Sequence, residues 1–321
     1  MDCLRLVLVA VTLTACVGDS SVPIDAGGDA TEDASPDATG QDATAETGAD
    51  ASPTVSPLSF GAGHLQLWLT ADQGVTCDTS LTPNRVTRWA DRSPHGTSHD
   101  ATPQHGQLPP ECHVASHAAA GVDLPYFSSP AATNTPDETL DLDLSYLSKT
   151  SYTVLVVERR WADRSGAGSP AEYVLGTTIN DNANCLGQYN NAAFGFGYNY
   201  FADKPAIELS LEQYCQKTPT ATVAAVPNPA PAALSYEIAL LDTTVGHTFR
   251  LNGAVSGTDA NKTALQTLTA NTGTLGRAYK SVSVIDSRFI GDIAEVVVYD
   301  AALSQTELLG LEAYAKAHWQ L

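Results

Sequence analysis

Apolar and polar residues alternate with period two through most of the chain beyond residue 58. In HLQLWLTA, Leu65, Leu67 and Leu69 fall on one side and Gln66, Trp68 and Thr70 on the other, the pattern of a half-buried strand. TLDLDLSYL (139–147) sets leucines opposite Asp141 and Asp143, whereas TSYTVLVVE (150–158) is a continuous apolar run, as a strand covered on both faces would be. AAFGFGYNYF (192–201), PAIELSLEQY (205–214) and LSYEIALLD (234–242) continue the series, and TFRLNGAVSG places Asn252-Gly253 between strand-like arms. Asn-Gly between two such arms predicts a hairpin. The period changes once, in ALSQTELLGLEAYAKAHW (302–319). There Ser304 and Glu307 form a capping box, and Leu308, Leu311, Ala315 and Trp319 recur at helical spacing. Many short strands, frequent turns and one terminal helix predict an all-β fold, a two-sheet sandwich or jelly roll, with a short C-terminal helix that packs over a sheet edge or an open end.

The first residues, MDCLRLVLVAVTLTAC, break this pattern. Leu4 to Ala15 is apolar but about half the ~20 residues a spanning helix needs, and it reads as an export signal. Leu13-Thr14-Ala15-Cys16 resembles the lipobox of bacterial lipoproteins, which implies cleavage before Cys16 and lipidation of that residue. Acyl chains contribute ~0.8 kcal/mol per buried methylene, so several of them hold a protein at a membrane. Residues 17–57 carry nine acids, no Lys or Arg and no aromatic residue; such a stretch cannot bury enough apolar surface to offset its chain entropy and reads as a disordered tether. The expected organisation is a signal and anchor at 1–16, the tether at 17–57 and one domain at 58–321.

The whole chain has 36 acidic and 16 basic residues; without Asp2, Arg5 and the tether acids the domain keeps 26 against 15, a net charge of −11. Phosphate backbones would repel it, so nucleic acid is excluded as a partner. Four cysteines remain for the domain, Cys77, Cys112, Cys185 and Cys215. In an exported protein they predict two disulfides, and Cys77–Cys112 with Cys185–Cys215 is favoured because each closes a local loop, although three pairings are open.

GDIAEVVVYDAALSQTELLGLEAYAKAHW (291–319) resembles the terminal strand, turn and closing helix of laminin-G-like jelly rolls in the concanavalin A-like lectin/glucanase superfamily. LQLWLTADQGV, RVTRWADRSPHGTSHDAT and LNGAVSG fit the same family's early strands and hairpin. The fold hosts lectins, hydrolases and adhesion modules, so the resemblance implies the fold more firmly than any activity. The glucanase branch carries an E-x-D-x-x-E strand that GDIAEVVVYD lacks. Where many relatives have an Asp near a calcium ion, this chain has Ala294.

The chemistry of the domain turns on Asp292, Glu295 and Asp300. In an unbroken strand Asp292 and Asp300 face one way and Glu295 the other, so Glu295 has no partner for the paired-carboxyl chemistry of glycosidases. It is expected to be a buried carboxylate satisfied by Arg277, Arg288 or backbone amides. Asp141 and Asp143, nearly 7 Å apart at strand rise, form the one spacing that suits an inverting glycosidase, but strict leucine alternation explains that spacing without chemistry, as the polar face of a half-buried strand. No catalytic residue is assigned.

For binding, Tyr198, Asn199 and Tyr200 are the candidates, on an aromatic stripe with Phe194 and Phe196 that also fits a sandwich core. Asp181, Asn182 and Asn184 form an oxygen-rich loop that could hold Ca²⁺, the one cofactor considered. His95, His99, His105, His113 and His117 cluster without a helix to align them, and RWADRS occurs at 88–93 and 160–165 without matching flanks. The expectation is a bacterial cell-envelope lipoprotein that binds a glycan or a surface protein. A glycoside hydrolase or polysaccharide lyase of the same fold and a purely structural surface module are the alternatives.

Overall fold

A computed structural model describes residues 55–103, 108–128, 138–161, 172–177, 194–199, 208–212, 221–225, 233–265, 268, 273–277 and 289–321. The first half has strands β1 (Leu65–Thr70), β2 (Val75–Asp78), β3 (Arg85–Trp89), β4 (Thr102–Pro103), β5 (Ala118–Ala119), β6 (Val122–Asp123), β7 (Tyr126–Phe127), β8 (Leu140–Leu142) and β9 (Tyr152–Arg160). The second half adds β10 (Glu172–Thr177), β11 (Gly195–Asn199), β12 (Glu208–Glu212), β13 (Ala221–Ala225), β14 (Ser235–Asp242), β15 (Gly246–Leu251), β16 (Ala254–Asp259), β17 (Gly273–Leu275) and β18 (Gly291–Tyr299). Helix α1, Gln305–Trp319, closes the chain. All of this lies in one compact unit, Ser52–Leu321. Among the described residues no helix is long and apolar enough to cross a membrane.

Two antiparallel sheets carry the architecture. One runs β1-β18-β9-β14-β15-β16, with β7 also paired to β18, and the other runs β13-β12-β11-β10-β17-β8-β4. Rings from the two sheets meet between them: Tyr152 of β9 lies edge-on to Phe194 at 6.0 Å, and Phe249 of β15 stacks on Phe196 of β11 at 6.2 Å. The all-β sandwich with a terminal helix is therefore the observed fold. Phe194 and Phe196 are core residues, each contributing on the order of 1.5–3 kcal/mol by burial.

Strand β9 shows why its sequence is apolar throughout. Tyr152, Val154 and Val156 point between the sheets, while Thr153, Leu155 and Val157 point to the other face of the first sheet, and all six are buried. That outer face is covered by α1. Its Tyr314 and Trp319 reach Glu295 of β18, and its Glu312 accepts from Nε (2.7 Å) and Nη2 (3.1 Å) of Arg250 on β15. The helix thus lies across a sheet face and not over an edge or open end. The apolar stripe set out in the sequence is buried, but Glu312 and Tyr314 are buried with it and fix where the helix docks. The capping box forms as expected: Ser304 N–H donates to Glu307 Oε2 at 2.9 Å and Glu307 N–H to Ser304 Oγ at 3.4 Å.

The Asn252-Gly253 hairpin joins β15 to β16 with both residues at positive φ, 48° and 89°, as a type I′ turn requires. Cys77 and Cys112 are bonded, with Cα atoms 6.4 Å apart. Cys16, Cys185 and Cys215 lie outside the described residues.

Candidate functional site

Strand β18 does not run as an unbroken ladder. Against β9, Asp292 pairs with Arg159 and Ile293 with Glu158, but Glu295 pairs with Val157, so Ala294 is an extra residue. This bulge overturns the alternation argument for the two acids. Arg159 and Val157 share a face of β9, so Asp292 and Glu295 share that outer face as well. They do not form a pair, because each is enclosed by its own donors.

Glu295 Oε1 accepts from Trp68 Nε1 (2.7 Å) and the Tyr314 hydroxyl (2.6 Å), and Oε2 accepts from Trp319 Nε1 (2.8 Å). The residue is 0 % exposed. These donors are two indoles and a phenol, where the sequence suggests arginines or backbone amides; Arg288 lies outside the described residues. Desolvation raises its pKa above the ordinary glutamate value, and the three donors pull it back. It ties β1, β18 and α1 together and is sealed from solvent.

Asp292 is the centre of a different arrangement. His117 Nδ1 lies 2.6 Å from Oδ1; when the carboxyl is ionised, Nδ1 carries the proton and donates. Oδ2 accepts from Arg159 Nε (2.8 Å) and Trp161 Nε1 (2.6 Å). Arg159 Nη2 is also 2.7 Å from Oδ2 but makes no aligned hydrogen bond. The His117 ring lies 4.2 Å from that of Tyr126 and 4.7 Å from that of Trp161, and the Arg159 guanidinium sits 4.7 Å over Trp161. Asp292 itself is fully buried, whereas His117, Tyr126, Arg159 and Trp161 are half-buried. Burial raises the Asp292 pKa, opposed by Trp161, Arg159 and His117. The result is a buried carboxyl group that holds His117, Arg159 and Trp161, with the Tyr126 ring packed against His117.

Four segments build this centre. The 3₁₀ turn Ala115–His117 delivers the histidine, β7 delivers Tyr126 opposite Asp292, and the end of β9 delivers Arg159 with Trp161 just beyond it. The sequence shows His117 within a histidine cluster and Trp161 within the second RWADRS, but nothing in the spacing joins them to Asp292. The first RWADRS serves another purpose: Trp89 is in the core, its Nε1 donating to Thr70 O at 3.0 Å, and Asp91 caps Trp68 N and Ser93 N, both at 2.8 Å.

The residues singled out from sequence for binding are placed elsewhere. Tyr198 is 3 % exposed and points between the sheets, with its hydroxyl on Glu158 and the Arg160 guanidinium 4.2 Å over its ring, so no open face is left for a sugar. Asn199 ends β11, with its side chain outside what the structure describes; Tyr200, Asp181, Asn182 and Asn184 also lie outside the described residues. Asp141 stands on β8, but the strand stops at Leu142 and Asp143 accepts from Ser145 N–H at 2.8 Å in a turn, so the two are not neighbours on one ladder. Of the other histidines, His95 and His99 stack on each other, with His99 Nδ1 2.6 Å from Gln66 O, while His113 stands apart and contacts Asp123 at 3.3 Å. His105 is outside the described residues. Among those described, the one cluster of three metal-ligating types is Cys77, Cys112 and His113, whose cysteines are in the disulfide.

A second buried cluster lies on the inner face at the same end of β9. Glu158, Glu172 and Glu237 are each at most 1 % exposed, and Ser235 Oγ donates to Glu237 at 2.7 Å. Desolvation pushes Glu158 up to about 7, against Tyr198 and Arg160, and holds Glu237 well above the usual carboxylate range, with the Glu158 charge adding to it.

No protein-family model matches the chain, and no curated protein does. Solved structures that resemble it include the CBM40 of the Ruminococcus gnavus IT-sialidase bound to α2,3-sialyllactose, with 13 % identity and a TM-score of 0.38 over 54 % of this chain and 91 % of that one. A Trypanosoma rangeli sialidase with sialic acid has 9 % identity and a TM-score of 0.44, covering 81 % of this chain and 34 % of the enzyme. Botulinum neurotoxin type C, whose cell entry depends on two gangliosides, has 9 % identity and a TM-score of 0.47, with 79 % and 51 % covered.

Proposed function

We propose that the chain is a lipid-anchored protein of the bacterial cell envelope, displaying a non-catalytic, laminin-G-like sandwich that binds glycan at the Asp292 centre. The observation that carries this reading is the half-buried set of Tyr126, Trp161, His117 and Arg159 locked around one buried carboxylate. Aromatic faces stack on the apolar faces of sugars, and their polar edges and the guanidinium offer hydrogen bonds to hydroxyls. Rings already held in place lose little freedom on binding, which favours affinity. Both oxygens of Asp292 are occupied by donors, and Glu295 on the same sheet face is sealed under α1. Neither acid is placed to trade a proton with a glycosidic oxygen, and this supports binding over hydrolysis. Cys16 would carry the lipid and residues 17–57 would hold the domain away from the membrane.

The test is a glycan array with the full chain in detergent, with and without calcium, comparing the wild type with Trp161→Ala and Tyr126→Phe. Loss of at least roughly tenfold in affinity for Trp161→Ala, with unchanged thermal unfolding for Tyr126→Phe, is expected. Binding that survives Trp161→Ala would move the site elsewhere, and binding of no glycan would leave the structural surface module as the better account.

A further inference from the structure

Resting on the reading of the Asp292 centre as a glycan site, we infer that its ligand is an uncharged sugar and that carboxylated sugars are disfavoured. Recognition of a carboxylate calls for a guanidinium or ammonium with charge to spare. The guanidiniums of Arg159 and Arg85 at this surface are both committed. Arg159 is held by Asp292. Arg85 is held by Glu138, with Glu111 3.5 Å away, and donates to Pro109 O at 2.9 Å.

Among the described residues, partly exposed carboxylates stand beside the rings. Glu111 is the cross-strand partner of Tyr126, so its side chain lies on the same face, and it is 22 % exposed. Asp123, the partner of Ala118 next to His117, is 37 % exposed and contacts His113. Arg159, Arg85, His117 and His113 face four carboxyl groups here, Asp292, Glu111, Glu138 and Asp123; burial raises the pKa of Asp292 and Glu138, so Glu111 and Asp123 are the partly exposed acids of the set. The Tyr126 phenol reports the same field, since burial raises its pKa first and Asp292, Glu138 and Glu111 each add to the shift. An incoming carboxylate would meet like charges in a partly desolvated place, where salt screens them poorly. An uncharged hexose or N-acetylated hexosamine meets no such repulsion and can use the ring faces and edges.

The experiment is calorimetric titration of the full chain with lactose, N,N′-diacetylchitobiose, 3′-sialyllactose and trigalacturonate, in low and high salt. The neutral sugars are expected to bind at least roughly tenfold tighter than their anionic counterparts, with affinity unchanged by salt. Glu111→Gln, which removes one half-buried negative charge beside Arg85 and leaves the carboxyl group of Asp292 in place, should narrow the gap by about threefold or more. Preference for an anionic member, or a gap that Glu111→Gln leaves unmoved, would overturn the inference while leaving glycan binding intact. Binding of none of the four, combined with an empty array, would sink the glycan reading itself and this inference with it.

Discussion

Replacing Glu158 with Gln should make the protein more stable at neutral pH while flattening its dependence on pH. Glu158 sits between the sheets beside Tyr198, Arg160 and Ser235, with Glu237 and Glu172 as the other acids of that interior and Asp292 acting through the sheet. Its carboxyl is pushed from an ordinary 4.5 to about 7. Below pH 4.5 it is protonated in both the folded and the unfolded chain and favours neither. Between 4.5 and 7 the unfolded chain releases this proton and the folded chain keeps it, so stability falls as pH rises and levels off above 7. The span corresponds to about 3 kcal/mol, at about 1.36 kcal/mol per pH unit. Glu237 is shifted in the same direction and adds to the fall.

The amide introduced by Glu158→Gln would keep an acceptor for the Tyr198 hydroxyl and lose the titration. Any mispacking of that amide enters as an offset independent of pH, so the slope and not the absolute stability is the test. Other groups, such as His247 with its pKa lowered by burial and His318 with its pKa raised chiefly by Asp72, cancel in the difference between the two proteins. Urea unfolding of both at closely spaced pH values from about 4 to 8 would give that difference directly. A difference that stays constant with pH, or that moves against the mutant as pH rises, would refute the reasoning.

Two further outcomes follow from the packing. Glu295→Ala leaves the indoles of Trp68 and Trp319 and the Tyr314 hydroxyl without their shared acceptor; a loss on the order of 3 kcal/mol is expected by denaturant unfolding, and Glu295→Gln should lose less because one carbonyl remains. Gly197→Ala would place a Cβ 2.4 Å from Glu172 O and 2.6 Å from Tyr173 Cα; both neighbours are backbone and cannot step aside, so a loss of about 1–3 kcal/mol and a lowered melting temperature are expected from thermal unfolding.

The elements with a strong local signal are legible in the sequence. The Asn252-Gly253 turn, the Ser304–Glu307 box and the doubly covered β9 each rest on chemistry confined to a few neighbouring residues, so the chain alone states them. The aromatic stripe of β11 is legible as a stripe, but whether it faces a ligand or a second sheet depends on which surface meets β9. That is set by residues far along the chain, such as Glu158, 40 positions from Tyr198. Helix α1 is placed correctly along the chain and wrongly in space for a similar reason. Glu312 falls on the face of Leu308 and Ala315, but nothing near it or Tyr314 in the chain shows that Arg250 and Glu295 lie beneath them.

The arrangement around Asp292 is hidden by one residue. Alternation counts positions, and the bulge at Ala294 adds a position without adding a partner on β9. In an unbroken ladder either Asp292 or Glu295 would have to point between the sheets, into the layer that already holds Glu158, Glu172 and Glu237, and a further carboxylate there would carry a large desolvation cost. The extra residue lets both face outward, one to the indoles under the helix and the other to Arg159, His117 and Trp161. Deleting Ala294 should therefore do more than trim a strand: it would turn one of the two acids inward, and loss of the cooperative urea transition, which a local defect would only shift, would show it.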